Sequence, residues 1–142
     1  MDNFFDRIDS SLPLPKLLTH AAKAFELGDI KQFSPITTGY QECNVDLATS
    51  NGRYVVKIFS KEKSKTRIDD VMWGYTHLKK QKIPFPALLK TKDNQPLFHM
   101  PPSVYLCVFD YFEGKSLTQT SVSDDDIRSL TRALATMHKI TK

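Results

Sequence analysis

The chain has 142 residues, of which 40% are hydrophobic, 25% are charged and two are cysteines. This length allows one domain with a substantial core, and the composition is that of a globular protein, not a disordered or fibrous one. No apolar run approaches the roughly 18 residues of a membrane span. The first residues, MDNFFDRIDSSLP, are acidic where a secretory signal is basic. We therefore expect a cytoplasmic protein that does not enter a membrane.

The formal net charge of +4 is compatible with an anionic ligand. Cys43 and Cys107 lie far apart and form no CxxC pair, so reduced structural thiols are expected and a zinc site is not. The basic segments KEKSKTR and KKQK leave open a nucleic-acid-binding domain. They include Glu62 and lack interleaved aromatic residues, which favours solvated faces and makes nucleic acid an unlikely partner.

The first half of the chain is predicted to contain a helix followed by three strands. Apolar residues at helical spacing in LPKLLTHAAKAFEL predict a helix over about 14–27, with Gly28 placed to end it. Strand patterns follow in DIKQFSPITTG, ECNVDLAT and RYVVKIF. The Asn51-Gly52 pair between the last two predicts a hairpin with a type I′ turn.

The second half is predicted to add two helices and two or three strands. An apolar stripe between Ile68 and Leu78 predicts a helix over 68–81, which the prolines of IPFP end. ALLKT, PLF and SVYLCVFDYF are predicted strands, the last of them buried. Ser123 is the predicted N-cap of a helix through SDDDIRSLTRALATMHKI. Hairpin connections favour a mostly antiparallel sheet of about five strands with packed helices, so the fold class is α+β.

Lys57 stands among apolar residues in the strand RYVVKIF. Alternation along a strand places Val55, Lys57 and Phe59 on one face of the sheet. An apolar wall followed by an ammonium group suits a nucleotide, with the base on the wall and the phosphates at the ammonium. Taken alone, a strand lysine is more often a solvated edge residue, so both interpretations stand at this point.

The order of the elements resembles the N-terminal lobe of the protein-kinase-like fold. The segments that carry the resemblance are GYQECNVDLATSNGRYVVKIFS, LKKQKIPFPALLKTKD, VYLCVFDYFEGKSL and LTRALATMHKI. Over residues 33–138 they are most similar to the family of aminoglycoside phosphotransferases, choline kinases and homoserine kinases. The resemblance implies a kinase-like lobe, ATP as the cofactor and a small molecule as the phosphate acceptor.

The resemblance assigns the phosphate side of the site to Lys57 and the loop before the hairpin. Lys57 matches the family lysine that binds the α- and β-phosphates of ATP. The loop over 38–44 matches the nucleotide-positioning loop, although it keeps a single glycine. Backbone amides near Gly39, including that of Tyr40, would cradle the phosphates.

The adenine side of the site falls on Val55 and the hinge segment FDYFEG. By the resemblance, Val55 forms a wall of the adenine pocket and Phe109 lies at its back. The Asp110 carbonyl and the Phe112 amide would bond the adenine edge. Without the resemblance, the apolar members of this set would be assigned to the core.

The family usually carries a glutamate on the helix after the lysine strand, and this glutamate holds the lysine. In this sequence that position falls on or beside Val71, where no acid stands. Asp70 or Asp69 would have to serve, with a shorter side chain and a shifted register. The alternative is that both aspartates are solvated residues near the helix N-terminus.

The family's catalytic H-x-D loop, its downstream asparagine and the later metal-binding aspartate are expected beyond Lys142. We therefore expect an N-terminal helical segment (1–32), a kinase-like lobe (33–118) and a helix leading toward a missing second lobe (119–142). Phosphoryl transfer needs a catalytic aspartate and magnesium ligands from that lobe. The chain alone is thus expected to be inactive, with magnesium and the acceptor binding only when the second lobe is present.

Two other functions stay open at the level of sequence. One is a non-catalytic nucleotide-binding or protein-interaction module of the same fold, and the other is the basic nucleic-acid-binding domain. A lobe separated from its partner would also expose apolar surface, so self-association is expected.

Overall fold

The computed structural model describes residues 4–8, 10–39, 41–81, 83–118 and 120–140. A short 3₁₀ turn over Phe4–Arg7 precedes the main elements. These are α1 (Leu14–Ala24), β1 (Ile30–Ile36), β2 (Cys43–Thr49), β3 (Arg53–Ile58), α2 (Lys65–Lys80), β4 (Phe98–Met100), β5 (Val104–Asp110) and α3 (Asp124–Ile140). Over these ranges, every helix is too short or too polar to cross a membrane.

The five strands form one sheet in the order β1-β2-β3-β5-β4, and all neighbours are antiparallel. The first three strands follow one another directly, and β5 returns beside β3 so that β3 lies in the middle. Together with the three helices, this sheet confirms the predicted α+β fold of a kinase-like N-terminal lobe. It also places Lys57 on the central strand, between Asn44 on β2 and Cys107 on β5.

Helix α1 covers one face of the sheet. Its apolar residues recur at helical spacing, and their side chains are buried in one cluster with inward-facing residues of β2, β3 and β5, among them Leu17, Leu18, Val45, Val56 and Leu106. The helix ends at Ala24 instead of 27, because Glu26 adopts the left-handed conformation with φ of 55°. The following turn is fixed by the Thr49 hydroxyl, which donates to the Leu27 carbonyl.

Helix α2 covers the other face of the sheet, the face that carries Lys57. It begins at Lys65, three residues before the apolar stripe, because the Ser64 hydroxyl accepts a bond from the Arg67 amide and caps the helix. Ile68 and Met72 of α2 are buried in a second cluster with Phe59, Cys107 and Phe109. The predicted packing of this helix across the sheet is therefore confirmed.

Two local predictions are wrong. The β2–β3 hairpin forms, with Ala48 paired to Arg53, but its turn is not type I′. That turn needs positive φ at both central residues, and the non-glycine residues with positive φ in the described chain are Glu26 and Asn94, so Asn51 does not qualify. The segment ALLKT, predicted as a strand, makes one isolated bridge, between Leu88 and Phe109.

Helix α3 has the predicted cap. The Ser123 hydroxyl accepts from the Asp126 amide at 3.2 Å, and the Asp126 carboxylate accepts from the Ser123 amide at 2.9 Å. The apolar side of the helix is not covered, because Ile127, Leu130 and Leu134 are 51%, 61% and 45% exposed. The helix is therefore held at its start by local bonds, while its apolar side chains face outward.

Acid is expected to fray the first turn of α3. Hydrogen bonds from Ser123 hold the pKa of Asp126 below its ordinary value of 3.8. Because the folded pKa is the lower one, the cap's contribution is present above pH 3.8 and is lost as the pH falls through the folded pKa. The NMR shift of the Ser123 amide proton, which donates to the Asp126 carboxylate, should report this acid transition. The transition should persist in Asp125→Asn and vanish in Asp126→Asn; an unaltered transition in Asp126→Asn would contradict the assignment.

Candidate functional site

A cavity of about 470 Å³ opens on the α2 side of the sheet, at the ends of β3 and β5. Val55 and Lys57 reach it from β3, and Phe109 and Asp110 reach it from β5. The segment after β5, including Phe112, forms its outer rim. Five of the residues that the resemblance assigned to ATP binding therefore line one cavity.

Lys57 is half-buried in this cavity, on the face predicted from strand alternation. Within the described ranges, no acidic side chain forms an ion pair with its ammonium group. Its cross-strand neighbour Cys107 is fully buried, and burial raises the pKa of the Cys107 thiol to about 12 although Lys57 acts in the opposite direction. The thiol is therefore protonated at neutral pH and is not a nucleophile.

The hinge after β5 is attached by two backbone bonds. The Asp110 amide donates to the Ala87 carbonyl at 2.9 Å, and the Tyr111 amide donates to the Arg53 carbonyl at 3.1 Å. The Arg53 guanidinium also lies 3.7 Å from the centroid of the Tyr111 ring, a cation–π contact. The Asp110 carbonyl and the Phe112 amide take no part in these two bonds.

Three aromatic rings form the inner wall of the cavity. Tyr75 of α2 meets Phe109 edge to face, with ring centroids 5.1 Å apart, and Phe85 lies 5.2 Å from Tyr75 and 5.6 Å from Phe109. Burial raises the pKa of Tyr75 to about 12, so its hydroxyl stays protonated. The wall is thus apolar and uncharged at neutral pH.

Gly39 and Asp70, two other residues predicted to bind ATP, do not line this cavity. A Cβ built on Gly39 would lie 3.6 Å from the Asn44 side chain, which lines the cavity, so the loop before β2 borders the site. Tyr40 lies outside the described residues. Asp70 lines a different cavity, of about 800 Å³, and the expected Asp70–Lys57 ion pair is not among those of the described chain.

Several residues that line the cavity were given a different role, or none, from sequence. Asn44 was placed in the nucleotide-positioning loop over 38–44, but it lies on β2, where the hairpin register puts it directly opposite Lys57. Tyr75 was assigned to packing, and it packs and also lines the cavity. Phe85 and Lys115 come from irregular segments and carry no local signal. In the described chain, no group of three His, Cys, Asp or Glu side chains is placed to hold a metal ion.

Comparisons with known proteins agree with this architecture. The sequence matches the model of the phosphotransferase enzyme family over residues 32–142. Homoserine kinase from Methylobacillus glycogenes is 29% identical over 119 residues, which are 82% of this chain and 35% of that relative. The chain thus spans about a third of the length of the curated relative it matches. Since the family match covers most of the chain and confirms the resemblance to aminoglycoside phosphotransferases and homoserine kinases, the chain belongs to the phosphotransferase enzyme family.

Proposed function

We propose that this chain is the ATP-binding lobe of a small-molecule kinase. The observation that carries the proposal is the ammonium group of Lys57, which has no ion pair in the described chain and stands beside an apolar wall in a cavity of about 470 Å³. In this proposal residues 33–118 form the lobe, 1–32 are an N-terminal helical segment and 119–142 lead to a second lobe.

The cavity has the chemistry that an adenine base requires. Val55 and the ring of Phe109 offer apolar surface, and the volume is within the range of small-molecule sites, roughly 300–1,000 Å³. Adenine presents an amino donor beside a ring-nitrogen acceptor. In our proposal the Asp110 carbonyl and the Phe112 amide serve as the complementary acceptor and donor, and both residues line the cavity.

The cavity lining carries more positive than negative charge. Lys57 and Lys115 line the cavity, whereas Asp110 is the acidic residue there, so the charge favours an anion. Bound ATP supplies the phosphoryl group that a kinase transfers to its acceptor. In our proposal the second lobe provides the catalytic aspartate, the magnesium ligands and the acceptor site, and this chain orients the nucleotide. Homoserine, named for the relative, is a first acceptor to test with both lobes present.

The test of this function is an NMR titration of the full chain with ATP, and separately with adenosine. ATP should shift the amides of Val55, Lys57 and the hinge residues 109–112, and adenosine should shift the hinge without Lys57. Residues of α1, on the opposite face of the sheet, provide the internal control. The absence of hinge shifts with both ligands, or shifts centred on α1, would contradict the proposal.

The exposed side of α3 favours a second candidate, a protein-interaction module. Leu130 is 61% exposed, and its neighbours along the helix are comparably exposed. We expect dimers or larger species at high protein concentration, and Leu130→Lys should reduce them while the adjacent Thr131→Lys should not. Light scattering would measure this, and a strictly monomeric wild-type chain at millimolar concentration would contradict it.

The nucleic-acid alternative has less support from the structure. Lys63 is paired with the Glu42 carboxylate, and Lys65 is paired with Asp69 at 2.5 Å. Part of the positive charge in the segment KEKSKTR is therefore neutralised within the chain.

A further inference from the structure

We call the cavity of about 470 Å³ the ATP cavity. The N-terminal turn is bonded to the loop that borders it. The Arg7 guanidinium donates through Nη1 to the Gly39 carbonyl at 2.7 Å. The Arg7 carbonyl accepts from the Lys61 amide at 2.8 Å. A single residue outside the sheet therefore links Gly39 to the connection between β3 and α2.

A buried carboxylate holds the other end of the same loop. Glu42 is only 8% exposed, and it immediately precedes β2. Its carboxylate accepts from the Ser60 amide at 2.7 Å and forms an ion pair with Lys63. Burying a charge is costly unless it is paired and hydrogen-bonded, so these contacts fix the side chain against the β3–α2 connection.

Arg7 and Glu42 thus attach both ends of the loop segment 39–42 to the connection over 60–63, and we call these contacts the loop brace. Burial raises the pKa of the Cys43 thiol, the Arg7 guanidinium lowers it, and the Glu42 carboxylate raises it further. Both charges therefore lie close to the start of β2. Arg7 lines the larger cavity and not the ATP cavity. The Gly39 carbonyl is therefore hydrogen-bonded to a cation that does not line the ATP cavity. This bond offsets the partial negative charge of the carbonyl oxygen, which would otherwise repel phosphate.

We propose that Arg7 and Glu42 are positioning residues that hold the loop before β2 in the conformation that receives the ATP phosphates. This inference rests on the proposed ATP site. A loop that is fixed before the ligand arrives loses less conformational entropy on binding, which raises affinity. The brace would act on the phosphate side alone, because the adenine side is built from β3, β5 and the hinge.

The experiment compares two brace variants with two matched controls in the full chain. Arg7→Met and Glu42→Gln each remove side-chain contacts of the brace. Lys61→Met and Glu62→Gln make the same charge changes on side chains that line the same cavity without belonging to the brace. For each protein, NMR titration measures the Kd for ATP and for adenosine, and hydrogen exchange measures the protection of the amides over 38–44.

Each brace variant should weaken ATP binding by about tenfold, as expected for the loss of one charge-assisted contact. Adenosine binding should stay within about twofold of wild type, and loop amides should exchange faster while the amides of β3 do not. Both controls should match wild type. If Glu42→Gln does not fold, Arg7→Met alone tests the proposal. Arg7→Met is expected to fold, because it removes one side-chain hydrogen bond and no buried charge.

Wild-type ATP affinity in Arg7→Met would overturn the positioning role. An equal loss of ATP and adenosine binding would also overturn it, because that result indicates general distortion of the lobe. If the wild-type chain binds neither ligand, the proposed ATP site fails, and the inference fails with it. The wild-type titration therefore separates the two failures.

Discussion

Lys57→Met is expected to abolish the phosphate-dependent part of nucleotide binding and to leave the free energy of unfolding nearly unchanged. Methionine keeps most of the lysine stem, so packing beside Val55 and Cys107 is retained. The ammonium group has no ion pair in the described chain, so its removal leaves no buried charge without a partner. Stability and binding should therefore separate cleanly in this variant.

On the proposed function, this lobe supplies half of a nucleotide site, so total ATP affinity should be low and the loss in Lys57→Met should be a large part of it. We expect a Kd for ATP in the millimolar range, or about 4 kcal/mol. The apolar surroundings of Lys57 weaken solvent screening, so its attraction to phosphate is a large share of that value. In Lys57→Met, ATP should bind no better than adenosine. NMR titration measures both ligands, and urea unfolding measures stability.

Lys31→Met is the matched control, because Lys31 is an exposed strand lysine on β1 and does not line the cavity. It should bind ATP as wild type does. If ATP shifts the amides of Gly39, Val55 and Phe112 equally in wild type and Lys57→Met, Lys57 is not the phosphate anchor. That result would leave the family membership intact and remove the observation on which the proposed function rests.

Much of the fold could be predicted because its signals are local. The apolar stripe of α2 and the alternation along β2 each depend on residues a few positions apart, and both elements are present. The N-terminus of α2 was placed too late because the stripe begins at Ile68, while the cap at Ser64 precedes it. The segment ALLKT failed as a strand because only Leu88 reaches a ladder partner, which depends on the path of the whole connection.

The candidate site was partly predictable for a similar reason. Alternation along β3 correctly placed Val55 and Lys57 on one face, and the resemblance brought in the hinge. The opposing residue Asn44 depends on hairpin register, and Phe85 depends on how the chain returns from α2. Asp70 was proposed as a substitute for the family glutamate, whose position falls on or beside Val71, but Asp70 lines the larger cavity.

Phe109→Ala is expected to combine a large loss of stability with a change in ligand selectivity. Phe109 is 7% exposed and packs against Tyr75 and Phe85, so truncating its ring should cost about 3–5 kcal/mol. The same truncation opens space in the proposed ATP cavity, next to Val55 on the neighbouring strand. An adenosine with a benzyl group on its exocyclic nitrogen should gain affinity relative to adenosine, by about tenfold if the aromatic group fills the space.

Phe25→Ala separates these two effects. Phe25 is 5% exposed and belongs to the core under α1, on the opposite face of the sheet, where it meets Phe98 edge to face. Its truncation should cost a similar free energy of unfolding, measured with urea, and leave the preference between the two nucleosides unchanged. Since both variants create a cavity in a buried cluster, only the one next to the nucleotide should admit the larger base. Equal selectivity in Phe109→Ala and Phe25→Ala would show that Phe109 packs the core without bounding the nucleotide pocket.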